Sequence, residues 1–75
     1  MNFRLSKLEE QRVKYFRNIC LNSIVESNKK IPSKYEWKDA DALEFIVSNC
    51  GIGYTIYIRN TKLGIKANIT DYDSW

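Results

Sequence analysis

Apolar residues near the start of the chain recur at helical spacing. At about 100° per residue, Leu5, Leu8, Val13, Phe16, Ile19, Cys20 and Ile24 share one broad face. Lys7, Glu10, Lys14, Arg17 and Asn18 occupy the other. Ser6-Lys7-Leu8-Glu9 forms the pattern of a capping box, in which each of the end residues satisfies the backbone N–H of the other. Glu10 and Lys14 make a favourable pair one turn apart. Lys29 and Lys30 suit the negative end of a helix, and Pro32 stops continuation. The pattern predicts a helix over residues 6–27, followed by a basic connector, 28–38, that ends near Tyr35 and Trp37.

The period then changes from helical to alternating. Leu43, Phe45 and Val47 alternate with Glu44, Ile46 and Ser48. Tyr54, Ile56 and Ile58 alternate with Thr55, Tyr57 and Arg59. Leu63, Ile65, Ala67 and Ile69 alternate with Gly64, Lys66, Asn68 and Thr70. Three amphipathic strands with short links make a meander over residues 42–70. Antiparallel partners share a face. A register with Val47 opposite Tyr54, Phe45 opposite Ile56 and Leu43 opposite Ile58 collects the apolar residues. It leaves Ser48 to Gly53 as a loop, with Gly51 and Gly53 supplying unusual dihedrals. In the second hairpin, Ile58 opposite Leu63, Ile56 opposite Ile65 and Tyr54 opposite Ala67 does the same around an Asn60-Thr61 turn or a four-residue loop. A helix and a sheet, each apolar on one face, must cover each other. The expected architecture is α+β: one N-terminal helix packed on a three-stranded antiparallel β-meander, a single domain spanning residues 1–75 with a tail at 71–75.

Length sharpens this picture. A chain of 75 residues supports a core only just large enough to fold alone, and such chains lean on disulfides, metals or oligomerisation. The two cysteines, Cys20 and Cys50, and the lack of histidine do not supply a zinc site. The expectation is two buried free thiols in a reducing cytoplasm, with no cofactor. The longest apolar runs are three residues, far too short for a membrane span, and the N-terminus shows no signal-peptide pattern. The chain is expected to be soluble and cytoplasmic. The abundance of Ile, Lys, Asn, Ser and Tyr, with little Pro or Ala, is the composition of an AT-rich bacterial or phage genome.

Net charge is +3, unevenly spread. Residues 1–35 hold eight basic and three acidic side chains, whereas residues 36–75 hold four and six. Such asymmetry marks either a basic binding face or a solvated helix beside a near-neutral sheet. Catalytic chemistry has few candidates. Histidine, the commonest acid–base group, is missing. The acid pairs Asp39 with Asp41 and Asp71 with Asp73 fit solvated turns. Cys50 in "SNCGIG" has no histidine to activate it, and "GIG" lacks the lysine and helix of a phosphate loop. No enzymatic activity is expected.

Recognition is the remaining class. Leu21 and Val25, one turn apart, fall outside the main apolar face and are expected to be exposed. The outer sheet face is expected to show Thr55, Tyr57, Arg59, Lys66 and Asn68, with Glu44 opposite Tyr57. Leu21, Val25, Tyr57, Arg59 and Lys66 are therefore the candidate partner-binding residues. A host protein is the expected partner; a homodimer is the alternative assembly. A second functional reading is a small nucleic-acid-binding protein, in which either Tyr57 stacks a base beside Arg59 and Lys66 on the sheet, or the alternative basic surface of Lys7, Lys14, Arg17, Lys29, Lys30 and Lys34 holds phosphates. In the tail "ITDYDSW", alternation turns Asp71 and Asp73 inward and Thr70 and Tyr72 outward. Inward acids end the strand by Thr70, and Trp75 is expected to fold back over an open edge of the core.

The stretch "NCGIGYTIYIRNTKLGIKANITDYDSW" resembles the C-terminal part of short uncharacterised proteins from Firmicutes and their phages. These also run from a "GIG" turn through a hairpin to "ITDY" and a final tryptophan. The likeness covers 27 of 75 residues. In that pattern the hairpin often carries a Cys-x-x-Cys-like turn. Asn60, Thr61, Lys62 and Leu63 stand there in this chain, so the metal site that the resemblance implies is lost. The resemblance implies a meander and a phage-like origin and transfers no activity. The resulting expectation is a non-enzymatic protein-interaction module, encoded by a phage or mobile element, that binds and inhibits a host defence or replication protein.

Overall fold

A computed structural model of the protein describes residues 5–49, 51 and 53–72. Trp75, Asp73 and Cys50, and what the sequence led us to expect of them, lie outside these residues. Helix α1 runs from Lys7 to Lys30. A 3-10 helix follows at Trp37–Asp41. Strands β1 (Leu43–Asn49), β2 (Tyr54–Asn60) and β3 (Ile65–Asn68) then form an antiparallel sheet in the order β1-β2-β3. The α+β meander is as expected. The helix is about one turn longer at its C-terminal end, and the short 3-10 helix joins the end of the connector to β1.

The start of α1 follows its capping box. The Ser6 hydroxyl accepts the Glu9 N–H at 3.1 Å, and the Glu9 carboxylate accepts the Ser6 N–H at 2.9 Å. The same two side chains also reach across the fold. The second Glu9 oxygen accepts the Asp71 N–H at 2.9 Å, and the Ser6 hydroxyl donates to the Asp71 carboxylate at 3.0 Å. One turn on, the Arg12 guanidinium donates to the carbonyls of Ile69 and Thr70. This clamp ties the first turns of α1 to the chain just after β3. It accounts for a buried carboxylate, Glu9, whose oxygens are both hydrogen-bonded as burial requires.

The core is narrower than the apolar pattern. Phe16, Cys20 and Ile24 of α1 are buried with Ala40, Ile56, Ile58 and Ile69. Leu8 and Ile19, predicted on the core face, are 37% and 40% exposed. They flank the buried stripe on the side nearest β3, where they line a groove of about 420 Å³ together with Arg12, Tyr15 and Ala67. The opposite flank of α1 meets the connector. There the Asn28 side chain bonds both backbone groups of Tyr35, and Arg17 pairs with Asp41. Burial raises the Cys20 thiol pKa, with the Asn60 side chain pulling the other way. Cys20 is thus a free, buried and unreactive thiol.

Both registers differ from those expected. In the first hairpin Asn49 faces Tyr54, Val47 faces Ile56 and Phe45 faces Ile58. β1 extends two residues further toward the turn, whereas β2 begins at Tyr54 as expected. The Asn49 side chain accepts the Gly51 N–H at 2.8 Å, and Gly51 takes φ 90°, a value suited to glycine. In the second hairpin Ile58 faces Ala67 and Asn60 faces Ile65. Leu63, expected in the strand, belongs to the turn. The Asn60 carbonyl oxygen on its side chain accepts the N–H groups of Lys62 and Leu63, each at 2.9 Å, and Gly64 closes the turn with φ 73°. Both changes are even-numbered slips, so every side chain keeps its face.

Thr70 corrects a further expectation. It was expected outward but is 2% exposed. Beyond Asn68 the chain leaves strand geometry, and the Thr70 hydroxyl takes over the ladder by accepting the Ile56 N–H at 2.7 Å.

Candidate interaction site

The helix layer and the 3-10 helix supply the buried cluster on the Ile56–Ile58 side of the sheet. The other face of the sheet, which carries Ile46, Tyr57, Arg59, Lys66 and Asn68, contributes nothing to that cluster. Because alternation holds, Tyr57 and Arg59 of β2 stand side by side on this open face. Lys66 of β3 lies directly opposite Arg59 and diagonal to Tyr57. The structure therefore brings Tyr57, Arg59 and Lys66 together.

The register slip changes their partners. Glu44, expected opposite Tyr57, instead faces Arg59, and the pair bonds at 2.8 Å. Ile46 takes the place opposite Tyr57. The Lys66 ammonium lies 5.3 Å from the centre of the Tyr57 ring, a cation–π contact that orients the phenol. A second aromatic joins from the tail: the Tyr72 hydroxyl accepts from the Asn68 amide at 3.0 Å, and Asn68 faces Tyr57 across the strands. Alternation put Tyr72 outward, but its link to this face depends on the turn after β3. The result is an aromatic and apolar centre of Tyr57 and Ile46, beside Tyr72, with a charged border of Arg59, Glu44 and Lys66.

Leu21 and Val25 do not join this set. They sit on α1, in the other layer. Leu21 was expected to be exposed and is instead half-buried against the core, on the α1 flank that meets the connector. Val25, at 38% exposed, is an isolated apolar position of ordinary kind.

The described members of the acid pairs Asp39–Asp41 and Asp71–Asp73 have structural partners. The Asp39 side chain accepts the Glu36 N–H at 3.0 Å, and Asp71 is held by Ser6. Asp41 is bound by Arg17, whose hydrogen bond holds its carboxyl below the usual range against a smaller opposing effect of desolvation. Among the described residues no three Asp, Glu, Cys or His side chains gather as a metal site would need, and no helix is long and apolar enough to cross a membrane.

A depressed folded pKa means that the Asp41 contribution to stability is present above the ordinary Asp value and is lost as pH falls through the folded value, below about pH 4. Arg17→Gln should move the Asp41 titration upward into the ordinary range. Carboxyl NMR chemical shifts against pH will read this directly, and an unmoved midpoint would show that Arg17 does not set it.

Comparison of the chain with protein-family models, curated proteins and solved structures returns no match.

Proposed function

We propose that this chain is a non-enzymatic protein-interaction module whose open sheet face occupies a surface of a larger protein. The observation that carries this reading is the cluster of Tyr57, Ile46, Arg59 and Lys66 on the sheet face opposite the core. Tyrosine and arginine contribute a disproportionate share of binding energy at protein interfaces, and an apolar centre with a charged border is the usual anatomy of such surfaces. Here both cations are already oriented, Arg59 by Glu44 and Lys66 by the Tyr57 ring, so little side-chain freedom remains to be lost on docking. The specific role is inhibition of a host defence or replication protein by a phage or mobile-element product. The phage-like origin rests on the sequence resemblance, and the inhibitory role on the scarcity of catalytic candidates in the sequence.

Nucleic-acid binding is the competing outcome. The pairing of Arg59 with Glu44 weighs against it, because a phosphate would have to displace an internal carboxylate. Affinity capture from a bacterial lysate, with Tyr57→Ala and Arg59→Ala variants beside the natural chain, tests the proposal. A saturably retained protein is expected, weakened at least about tenfold by each substitution. Retention of DNA or RNA that falls steeply with salt would support the competing outcome. Equal capture by all three chains would refute the assignment of this face.

A further inference from the structure

β1 is an edge strand with an unusual amount left open. Its neighbour on one side is β2, and among the described residues it has no strand on the other. Backbone groups in an antiparallel ladder point alternately to either side. Ile56 accepts from Ile69 on the β3 side, and Ala42 accepts from Thr61 on the β1 side. It follows that Thr55, Tyr57 and Arg59 bond to β1 through Ser48, Ile46 and Glu44. The N–H and C=O groups of Leu43, Phe45, Val47 and Asn49 then face the free edge. Natural edges are usually blunted by lysine, proline or a bulge. β1 has none of these in "LEFIVSN", and its single charge, Glu44, is engaged by Arg59. Phe45 and Val47, on the same face as the core, remain 43% and 42% exposed.

We propose that β1 is a dimerisation strand, which pairs antiparallel with β1 of a second copy about a two-fold axis through Ile46. The strand is self-complementary about that residue. Phe45 would face Val47 of the second copy, Val47 its Phe45, Leu43 its Asn49, and Glu44 its Ser48. Apolar residues meet on the core face, and no like charges oppose each other. All four outward residues pair in this register, and Ile46, the middle of Leu43–Asn49, meets its own copy on the open face. Registers centred on Phe45 or Val47 use less of the strand. The product is a six-stranded sheet with both helices on one side. Its other side joins two clusters of Tyr57, Arg59 and Lys66 across a central Ile46 pair. An isologous contact of this kind closes on itself and consumes the edge that would otherwise template aggregation.

The size of the contact sets its strength. A standard interface takes about 800 Å² from each partner, roughly one-seventh of the 5583 Å² accessible on this chain. A seven-residue edge, about 24 Å long, falls at the small end. The dimer should therefore dissociate on dilution, with Kd on the order of 10 μM.

Sedimentation equilibrium of the isolated chain from about 1 to 500 μM should show the mass rising from 8.9 kDa toward twice that value. Register is read by oxidative cross-linking in a Cys50→Ser background. Residues facing each other at a non-hydrogen-bonded position have Cα atoms about 4.5 Å apart, within disulfide reach. Ile46→Cys should cross-link to itself at least tenfold faster than Glu44→Cys or Ser48→Cys, whose copies lie about 13 Å apart along the strand. Circular dichroism confirms that each variant is folded. A monomer at every concentration, or equal cross-linking of the three variants, overturns the proposal. So does protection of the Phe45 and Val47 amides from exchange only when a foreign extended peptide is added. These readouts use the isolated protein and are independent of the partner reading, which fails separately if Tyr57 and Arg59 prove dispensable for capture.

Discussion

Ile58→Ala should lower the unfolding free energy by about 3–4 kcal/mol, as truncation of a fully buried isoleucine in a packed core does. Ile58 is 0% exposed. It lies on the central strand between Phe45 and Ala67, in the cluster with Phe16, Cys20 and Ile24 of α1. Its neighbours are held by two layers and cannot collapse into the space left behind. For a domain of 75 residues total stability is about 4–11 kcal/mol, so this one substitution removes a large part of it. Phe45→Ala is the informative contrast. Phe45 sits opposite Ile58 on the same sheet face but is 43% exposed, and at low protein concentration its loss should cost only about 1–2 kcal/mol. Urea midpoints measured on dilute samples will separate the two. Equal losses would mean that the helix covers β1 as fully as β2, and the edge argument for dimerisation would go with it.

Asn60→Ala should cost about 2–4 kcal/mol, although the residue is polar and sits at the end of a strand. Asn60 is 0% exposed. Its amide donates to the Asp39 carbonyl at 2.8 Å, and its side-chain oxygen accepts the N–H groups of Lys62 and Leu63, each at 2.9 Å. One side chain thus shapes the second turn and fastens it to the 3-10 helix. Truncation strips the Lys62 and Leu63 N–H groups of their acceptor, leaves the Asp39 carbonyl with only the Ala42 N–H, and opens the turn, and an unsatisfied polar group costs more than the lost bond. Asn60→Asp keeps the accepted bonds, loses the donated one and buries a carboxylate. At neutral pH it should be no better than alanine. It should recover part of the loss near pH 4, because burial raises a carboxyl pKa. Urea denaturation at pH 7 and pH 4 tests both statements; an Asn60→Ala variant as stable as the natural chain would remove the turn from the account.

Asn60 also shows where a reading of the sequence stops. From "RNTK" it looked like the first residue of a tight turn, and the expected pairing placed Ile58 opposite Leu63. The observed turn runs further, because the Asn60 side chain can bond two successive N–H groups and Gly64 can take the positive φ. The signal was present in "NTKLG", but alternation outweighed it. The recognition face shows the same limit. Tyr57, Arg59 and Lys66 were legible as outward residues from period-2 spacing alone. Their partners were not, since a slip of two residues moves Glu44 from Tyr57 to Arg59 without turning any side chain over. Leu21 is half-buried although it lies outside the apolar face of the helix, because the connector packs along that flank. Arg12 and Glu9 reach residues 69–71 from the far end of the chain; apart from the local capping box, no spacing rule points to them.

What the sequence alone determined was parity and period: one capped helix, three alternating strands, and the face taken by each side chain within those strands. These follow from backbone geometry repeated every few residues, so they are written locally. What only the tertiary structure decided was registry and coverage: which strand positions meet, which half of the apolar sheet face lies under the helix, and which edge is left open. Those depend on turn hydrogen bonds and on contacts between residues far apart in the chain, where several even-numbered slips bury the same residues and the apolar pattern cannot tell them apart.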